Sequence, residues 1–205
     1  MSVLIVCAVA AELAALRPRD GVEVVAVGVG PVEAAAGTAR ALAARSYRAA
    51  INAGIAGGFR ARAAVGDAVA VAVEYYVELG LEDGAAFPLP GGVTLLRRAE
   101  SDPELLRACR DPRVGARIGS GISSATVTTT DARAAELDER FGADVESMEG
   151  FAFLRAACAA GIPAVELRGV SNLVGDRAAN GWDFRAGAQA AVATTDALLD
   201  VLLAE

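Results

Sequence analysis

Residues 49–59 read AAINAGIAGGF. The first part, AAINAG (49–54), is a short apolar run without the alternation of a half-exposed strand, which fits a strand buried on both faces of a sheet. The rest, GIAGGF (54–59), breaks that run with glycines. Glycines at a strand's end either make a plain turn or let a ligand approach the backbone closely. Working outward, SVLIVCAV (2–9) and VEVVAV (22–27) are runs of the same kind, and GDAVAVAVEYY (66–76) and PAVELRGVS (163–171) are two more. Helical stretches lie between them. They are VEAAAGTARALAARS (32–46), with Pro31 suited to its first turn, and residues 102–110, with Asp102 as N-cap. ARAAELDERFG follows, with Asp131 as cap and Gly142 at its end, then the apolar MEGFAFLRAACAAGI (148–162) and a closing helix over 183–205. RVGARIGSGISSATVTTT (113–130) reads as two strands around a Gly-Ser turn, and 77–92 as loop. Strands alternating with helices predict an α/β protein, three-layer αβα around a mostly parallel mixed central sheet. No linker, repeat or low-complexity tract interrupts the 205 residues, so one domain over 1–205 is expected.

Composition narrows the chemistry. All 19 cations are Arg; there is no Lys and no His. That removes a lysine Schiff base, a P-loop lysine, a histidine base and histidine metal ligands, and leaves acid–base work to Asp and Glu. No cofactor and no metal are expected. A net charge of −7 argues against nucleic acid or an anionic membrane as partner, since both call for clustered cations. Cys7, Cys109 and Cys158 are widely spaced and odd in number, which fits reduced, mostly buried thiols and a cytoplasmic protein. The apolar N-terminus lacks a basic n-region and contains Glu12, so neither a signal peptide nor a membrane span is expected.

Four pieces stand out as possible site elements. GVGPVE (28–33) starts like a dinucleotide fingerprint, but Glu33 holds the sixth position and the run follows the second strand, so a tight strand-to-helix turn is the better reading. NAGIAGG (52–58) lies where α/β proteins bind ligands. Glu12 either faces solvent or is delivered to a cleft by the first strand. VESMEGFAF (145–153) sends Glu149 into a buried helix, where a carboxylate is costly unless something bonds it.

The first-strand acid, NAGIAGG, SMEG and RGVSN, in that order along nearly the whole chain, resemble the purine nucleoside phosphorylase and nucleosidase superfamily. VELGLEDGAAF (77–87), ATVTTTDARAAEL (125–137), VESMEGFAFLRAACAAGIP (145–163) and RGVSNLVGDRAANGW (168–182) are most similar to the futalosine hydrolases within it. The resemblance implies the nucleoside phosphorylase fold, a nucleoside and water as partners, and a homodimer or higher oligomer. It implies hydrolytic release of hypoxanthine from futalosine, in menaquinone biosynthesis, with a methylthioadenosine/S-adenosylhomocysteine (or aminodeoxyfutalosine) nucleosidase as the alternative. Phosphorolysis fits less well. There is no Arg before Arg17, and Asn52 and Ile55 stand where phosphate-binding Arg and Ser belong.

By the same resemblance Glu12 activates the water and Glu149 accepts from ribose hydroxyls. Met148 packs on the sugar, Val127 and Thr128 contact the base, Ala56 and Gly57 lie near its edge, and Ile55 and Ser171 also bind the substrate. Asn172 occupies the position of an Asp that serves adenosine-type relatives. An amide cannot give up a proton, but its NH2 suits the O6 and N7 acceptors of a 6-oxopurine. Arg177 and Trp182 are candidates for the carboxyphenyl end of the substrate, by composition and position.

Overall fold

The computed structural model describes residues 2–81, 89–91 and 93–204. Much of the VELGLEDGAAF stretch lies outside these. β1 (Ser2–Cys7), β2 (Val22–Ala26) and α1 (Pro31–Ala44) open the chain, followed by the long β3 (Tyr47–Gly58) and β4 (Ala68–Tyr76). Then come β5 (Arg98–Glu100), α2 (Pro103–Cys109), β6 (Arg117–Ser123), α3 (Asp131–Phe141) and β7 (Val145–Ser147). α4 (Gly150–Ala160), β8 (Ala164–Leu173) and α5 (Phe184–Leu203) complete it.

β3 organises the sheet. Its first half takes β1 in parallel on one edge, with β2 beyond. β8 runs parallel along the other edge from Ala50 to Gly58, and the short β7 pairs antiparallel with Gly57 and Gly58 at the far end. β8 continues to β4, β4 to β6 and β6 to β7, so β3, β8, β4, β6 and β7 form a closed circuit. Leu4, Val6 and Ala50 pack under α1 and α4, whereas Val3, Ile5, Ile51, Val165 and Leu167 pack with α2 and α5. The sheet is thus covered on both faces, as an αβα sandwich requires. α5 is long and apolar enough to cross a membrane by length and composition. Its Val192, Leu198 and Leu199 lie in the core with β3 and β8 instead.

Several boundaries differ from the sequence reading. β3 does not end at Gly54 but runs through the glycines to Gly58. The stretch 113–130 holds one strand, and its Gly119-Ser120-Gly121 is strand interior, not a turn. A side chain at Gly119 would stand 2.7 Å from the Asp144 carboxylate, and one at Gly121 would collide with Glu74. These glycines make room for buried acids rather than bending the chain. Thr130, not Asp131, caps α3 by accepting from the Arg133 N–H. β5 and β7, three residues each, carry too little pattern to be read from sequence.

Candidate active site

After β1 the chain enters a single 3-10 turn, Ala10–Leu13, which carries Glu12. Glu12 is 4% exposed, so the solvated-face reading does not apply. Its Oε2 accepts the Val9 N–H at 3.0 Å and its Oε1 the Ile55 N–H at 2.9 Å. Two backbone donors on separate elements fix the carboxylate while leaving lone pairs for a further donor. Gly54 permits the fit: a Cβ there would lie 2.6 Å from Glu12 Oε1 and 2.8 Å from Arg168 Nη1.

Arg168, on β8, is fully buried behind this point. Its Nε donates to Glu166 Oε1 at 2.7 Å, its Nη2 donates to Asn52 Oδ1, and its Nη1 has no partner. Burial works against its charge, but Glu166, Glu149 and Glu12 outweigh that and raise its pKa further. Glu74 stands beside this group on β4. Its Oε1 accepts from Ser123 Oγ at 2.7 Å and Ser147 Oγ at 3.4 Å, and its Oε2 has no partner. Burial first, then the nearby Glu166, push the Glu74 carboxyl well above the usual carboxylate range. Arg168 lowers both carboxyls, but it bonds Glu166 directly, so Glu74 is the more strongly raised of the two. The two serines pass the arrangement on to α4, since Ser123 Oγ accepts the Phe151 N–H and Ser147 Oγ the Gly150 N–H. Glu149 sits at the head of that helix, its Oε1 accepting the Gly30 N–H at 2.9 Å. Gly30 has φ +89° and so belongs to a tight turn, whose amide serves the site.

A cleft of about 250 Å³ opens over the carboxyl ends of the strands. It brings together Glu12, Glu149 and Asn172, with Ile55, Ala56, Gly57, Val127, Met148, Ser171 and Trp182. Ser171 and Asn172 are consecutive yet both reach it, because β8 bulges there. Ala56 pairs with Val170 and Gly57 with Asn172, which leaves Ser171 as the extra residue. β8 therefore continues to Leu173, past the strand end expected at Ser171. Asn172 Oδ1 accepts from Ser171 Oγ at 2.9 Å and its Nδ2 donates to the Leu173 carbonyl at 3.2 Å, so one amide N–H is left for a ligand.

Two expected residues lie elsewhere. Thr128 is buried beside the cleft, its N–H and hydroxyl both donating to Glu146. Arg177 is outside the wall, its guanidinium 4.5 Å from the Trp182 ring centroid. The wall also contains Ala8, Val9, Val29, Glu146, Ser147 and Phe184, which sequence reasoning did not place there. For Glu146 a signal existed: it lies three residues before Glu149, and only the unread β7 hid its direction. Among the described residues the wall holds three carboxylates, Glu12, Glu146 and Glu149, and no cation.

Comparison with known proteins agrees with this layout. The family model described as the phosphorylase superfamily matches residues 3–204. The futalosine hydrolase of Streptomyces coelicolor is 44% identical over 194 residues, covering 89% of this chain and 79% of that one. The futalosine hydrolase of Thermus thermophilus is 35% identical, covering 76% and 71%. Among solved structures, the 5'-methylthioadenosine/S-adenosylhomocysteine nucleosidase of Colwellia psychrerythraea in complex with adenine superposes with a TM-score of 0.84. It is 23% identical and covers 98% of this chain and 96% of that one, a likeness of fold. With the family model over nearly the whole chain and two relatives at 35% and 44% identity, the chain belongs to the phosphorylase superfamily, in its futalosine hydrolase family.

Proposed function

We propose that the protein is an N-glycosyl hydrolase that releases hypoxanthine from futalosine and leaves dehypoxanthine futalosine. The observation that carries the hydrolytic part is the cleft wall, with three carboxylates and no cation. A phosphate entering it would meet Glu12, and like charges about 4 Å apart repel by roughly 4 kcal/mol at an intermediate effective dielectric. A water meets a fixed acceptor instead. Glu12 orients it and takes its proton as the oxygen attacks the anomeric carbon. Arg168, behind Gly54, steadies the carboxylate with its unpartnered N–H side. Glu149 has one oxygen on Gly30 and one for a ribose hydroxyl. Carboxylates beside the sugar favour the oxocarbenium-like transition state over the neutral ground state.

Asn172 supports the choice of base. Its carbonyl already takes a hydrogen bond from Ser171, whereas an N–H remains free, which suits a base edge rich in acceptors. A 6-oxopurine has that edge. A 6-aminopurine would leave donors facing each other, a mismatch of about 1–3 kcal/mol. Trp182, 45% exposed at the rim with Arg177 against it, supports a reading in which this pair meets the aryl and carboxylate end of the substrate. Action as a single domain, in menaquinone biosynthesis, in the cytoplasm and as a homodimer or higher homo-oligomer belongs to the same reading. Val9, Val29 and Phe184 at the rim are exposed apolar surface that a second copy could cover.

The test is a product assay on futalosine, inosine and methylthioadenosine, with and without phosphate. Hypoxanthine from futalosine at a rate independent of phosphate is expected. Adenine release from methylthioadenosine at an equal rate would overturn the substrate, and ribose 1-phosphate products would overturn the hydrolysis.

A further inference from the structure

Asn172 has no proton to give, yet a purine leaving its sugar must gain one. Across β3 from Asn172 stands Glu146. Gly57 is the register partner of both residues, of Asn172 on its β8 edge and of Glu146 on its β7 edge. Partners in register project to the same face, and both side chains line the cleft. Two strand spacings put their Cα atoms roughly 10 Å apart, on either side of a residue with no side chain. Gly57 lines the cleft between them, where a Cβ would meet Val174 Cγ2 at 3.0 Å and Asn172 Nδ2 at 3.2 Å.

Glu146 is 7% exposed. Its hydrogen bonds are both with Thr128, whose N–H donates to Oε2 at 3.2 Å and whose hydroxyl donates to Oε1. Both treat the carboxyl as an acceptor. A neutral carboxyl in the same place keeps an O–H of its own that no protein group claims. Burial pushes Glu146 above the usual carboxylate range, and the two Thr128 bonds pull it back. Of the charged groups facing it, Glu78 after β4 adds to the rise and Arg133 on α3 subtracts from it.

We propose that Glu146 is the general acid of the hydrolysis, the group that protonates the departing base in place of the strand-end amide. The proposal rests on the hydrolytic reading above. As the C–N bond breaks, its electron pair stays with the base, and the Glu146 proton moves to a ring nitrogen. The water oxygen bonds to the anomeric carbon and its proton passes to Glu12. Solvent returns that proton to Glu146, so one water is consumed per turnover. Asn172 orients the base for this transfer.

The test is leaving-group dependence in Glu146→Gln. Futalosine needs an acid; p-nitrophenyl β-ribofuranoside does not, because nitrophenolate leaves as a stable anion. For the variant, kcat on futalosine should fall about 100-fold or more, with KM within about threefold, while turnover of the nitrophenyl riboside falls less than about fivefold. The alkaline limb of the wild-type pH profile for kcat/KM on futalosine should flatten. An equal loss on both substrates would mean a structural role and would overturn the proposal. So would an unchanged futalosine kcat, or a raised KM with kcat retained, the mark of base recognition alone. Wild-type protein that cleaves another purine nucleoside but not futalosine would refute the substrate and leave the Glu146 comparison to be run on that nucleoside.

Discussion

Replacing Gly54 with alanine puts a methyl group between Glu12 and Arg168. The Cβ would lie 2.6 Å from Glu12 Oε1 and 2.8 Å from Arg168 Nη1, against about 3.5–4.0 Å for an unstrained contact. Neither neighbour yields freely. Arg168 is held by Glu166 and Asn52 in a fully buried site. Glu12 is held by the Val9 and Ile55 amides. Relief therefore moves the carboxylate by roughly 0.5–1 Å and breaks or stretches one amide bond. A lost bond to a buried group costs about 1–3 kcal/mol of stability, or about 2–10 °C in Tm for a chain of this size. A misplacement on that scale costs about 100-fold in rate. Gly37→Ala is the contrast. Its Cβ would meet Val27 at 2.7 Å, and neither residue lines the cleft. That variant should lose stability yet keep kcat within about twofold. Thermal melts and hypoxanthine release measured on both variants separate the two effects. A folded Gly54→Ala protein with kcat within about threefold of wild type would refute the idea that the Glu12 carboxylate must stand where its two amides hold it.

Asn172→Asp should move the ratio of kcat/KM between an inosine-type and an adenosine-type nucleoside at least about tenfold toward the 6-aminopurine, because the free N–H is replaced by an acceptor; an unchanged ratio would remove Asn172 from base recognition. Glu74 has a raised folded pKa, so its stabilising effect is complete below about 4.5, the ordinary glutamate value, and is lost as pH rises toward the folded value. Glu74→Gln, which mimics the protonated acid, should therefore gain Tm on wild type as pH climbs from 4.5 to 9; parallel melting curves would show that Glu74 is ionised in the fold. Burial pushes the Cys7 and Cys109 thiols up to about 12, whereas Cys158 is exposed. A thiol reagent at neutral pH should modify Cys158 alone in the folded protein, and rapid labelling of Cys7 would mean that the first strand opens.

Helix ends were legible where a cap or a stop residue marks them. Asp102 caps α2 by accepting two amide N–H groups, and Gly142 and Gly161 end α3 and α4 in the left-handed region. The glycine-containing strands were misread for one physical reason. A glycine has two uses, to turn the chain or to admit a neighbour, and local sequence shows the glycine but not the neighbour. Gly58 is small because Val170 Cγ1 would stand 2.8 Å from its Cβ, and Gly150 because Glu166 fills that space. The cleft-lining residues with a local motif, Met148-Glu149 and Ser171-Asn172, were legible at once. Glu146 was not, since its direction is set by pairing with Gly57, 89 positions away in the chain. Arg168 and Glu74 lie in runs that read as buried strands, but local sequence does not show the partners that hold their charges there.

The buried charges follow one design. Among the described residues five glutamates and one arginine are buried, and four of the glutamates, Glu12, Glu74, Glu149 and Glu166, lie near that arginine. A surplus of that kind in a low dielectric is unstable unless some carboxyls stay protonated. Burial and Glu166 hold Glu74 well above the usual carboxylate range, and the Ser123 and Ser147 hydroxyls that donate to it knit β4, β6 and β7 to the head of α4. Glu12 and Glu149 are held by backbone N–H groups instead, Glu12 by those of Val9 and Ile55 and Glu149 by that of Gly30. Amide dipoles fix a carboxylate without cancelling its charge, which is what a reaction that builds a cation on the sugar requires. Had arginines filled these positions, the same cleft would attract phosphate and lose its preference for that cation. The single arginine lies behind Gly54, close enough to order Glu12 and outside the wall that the substrate meets.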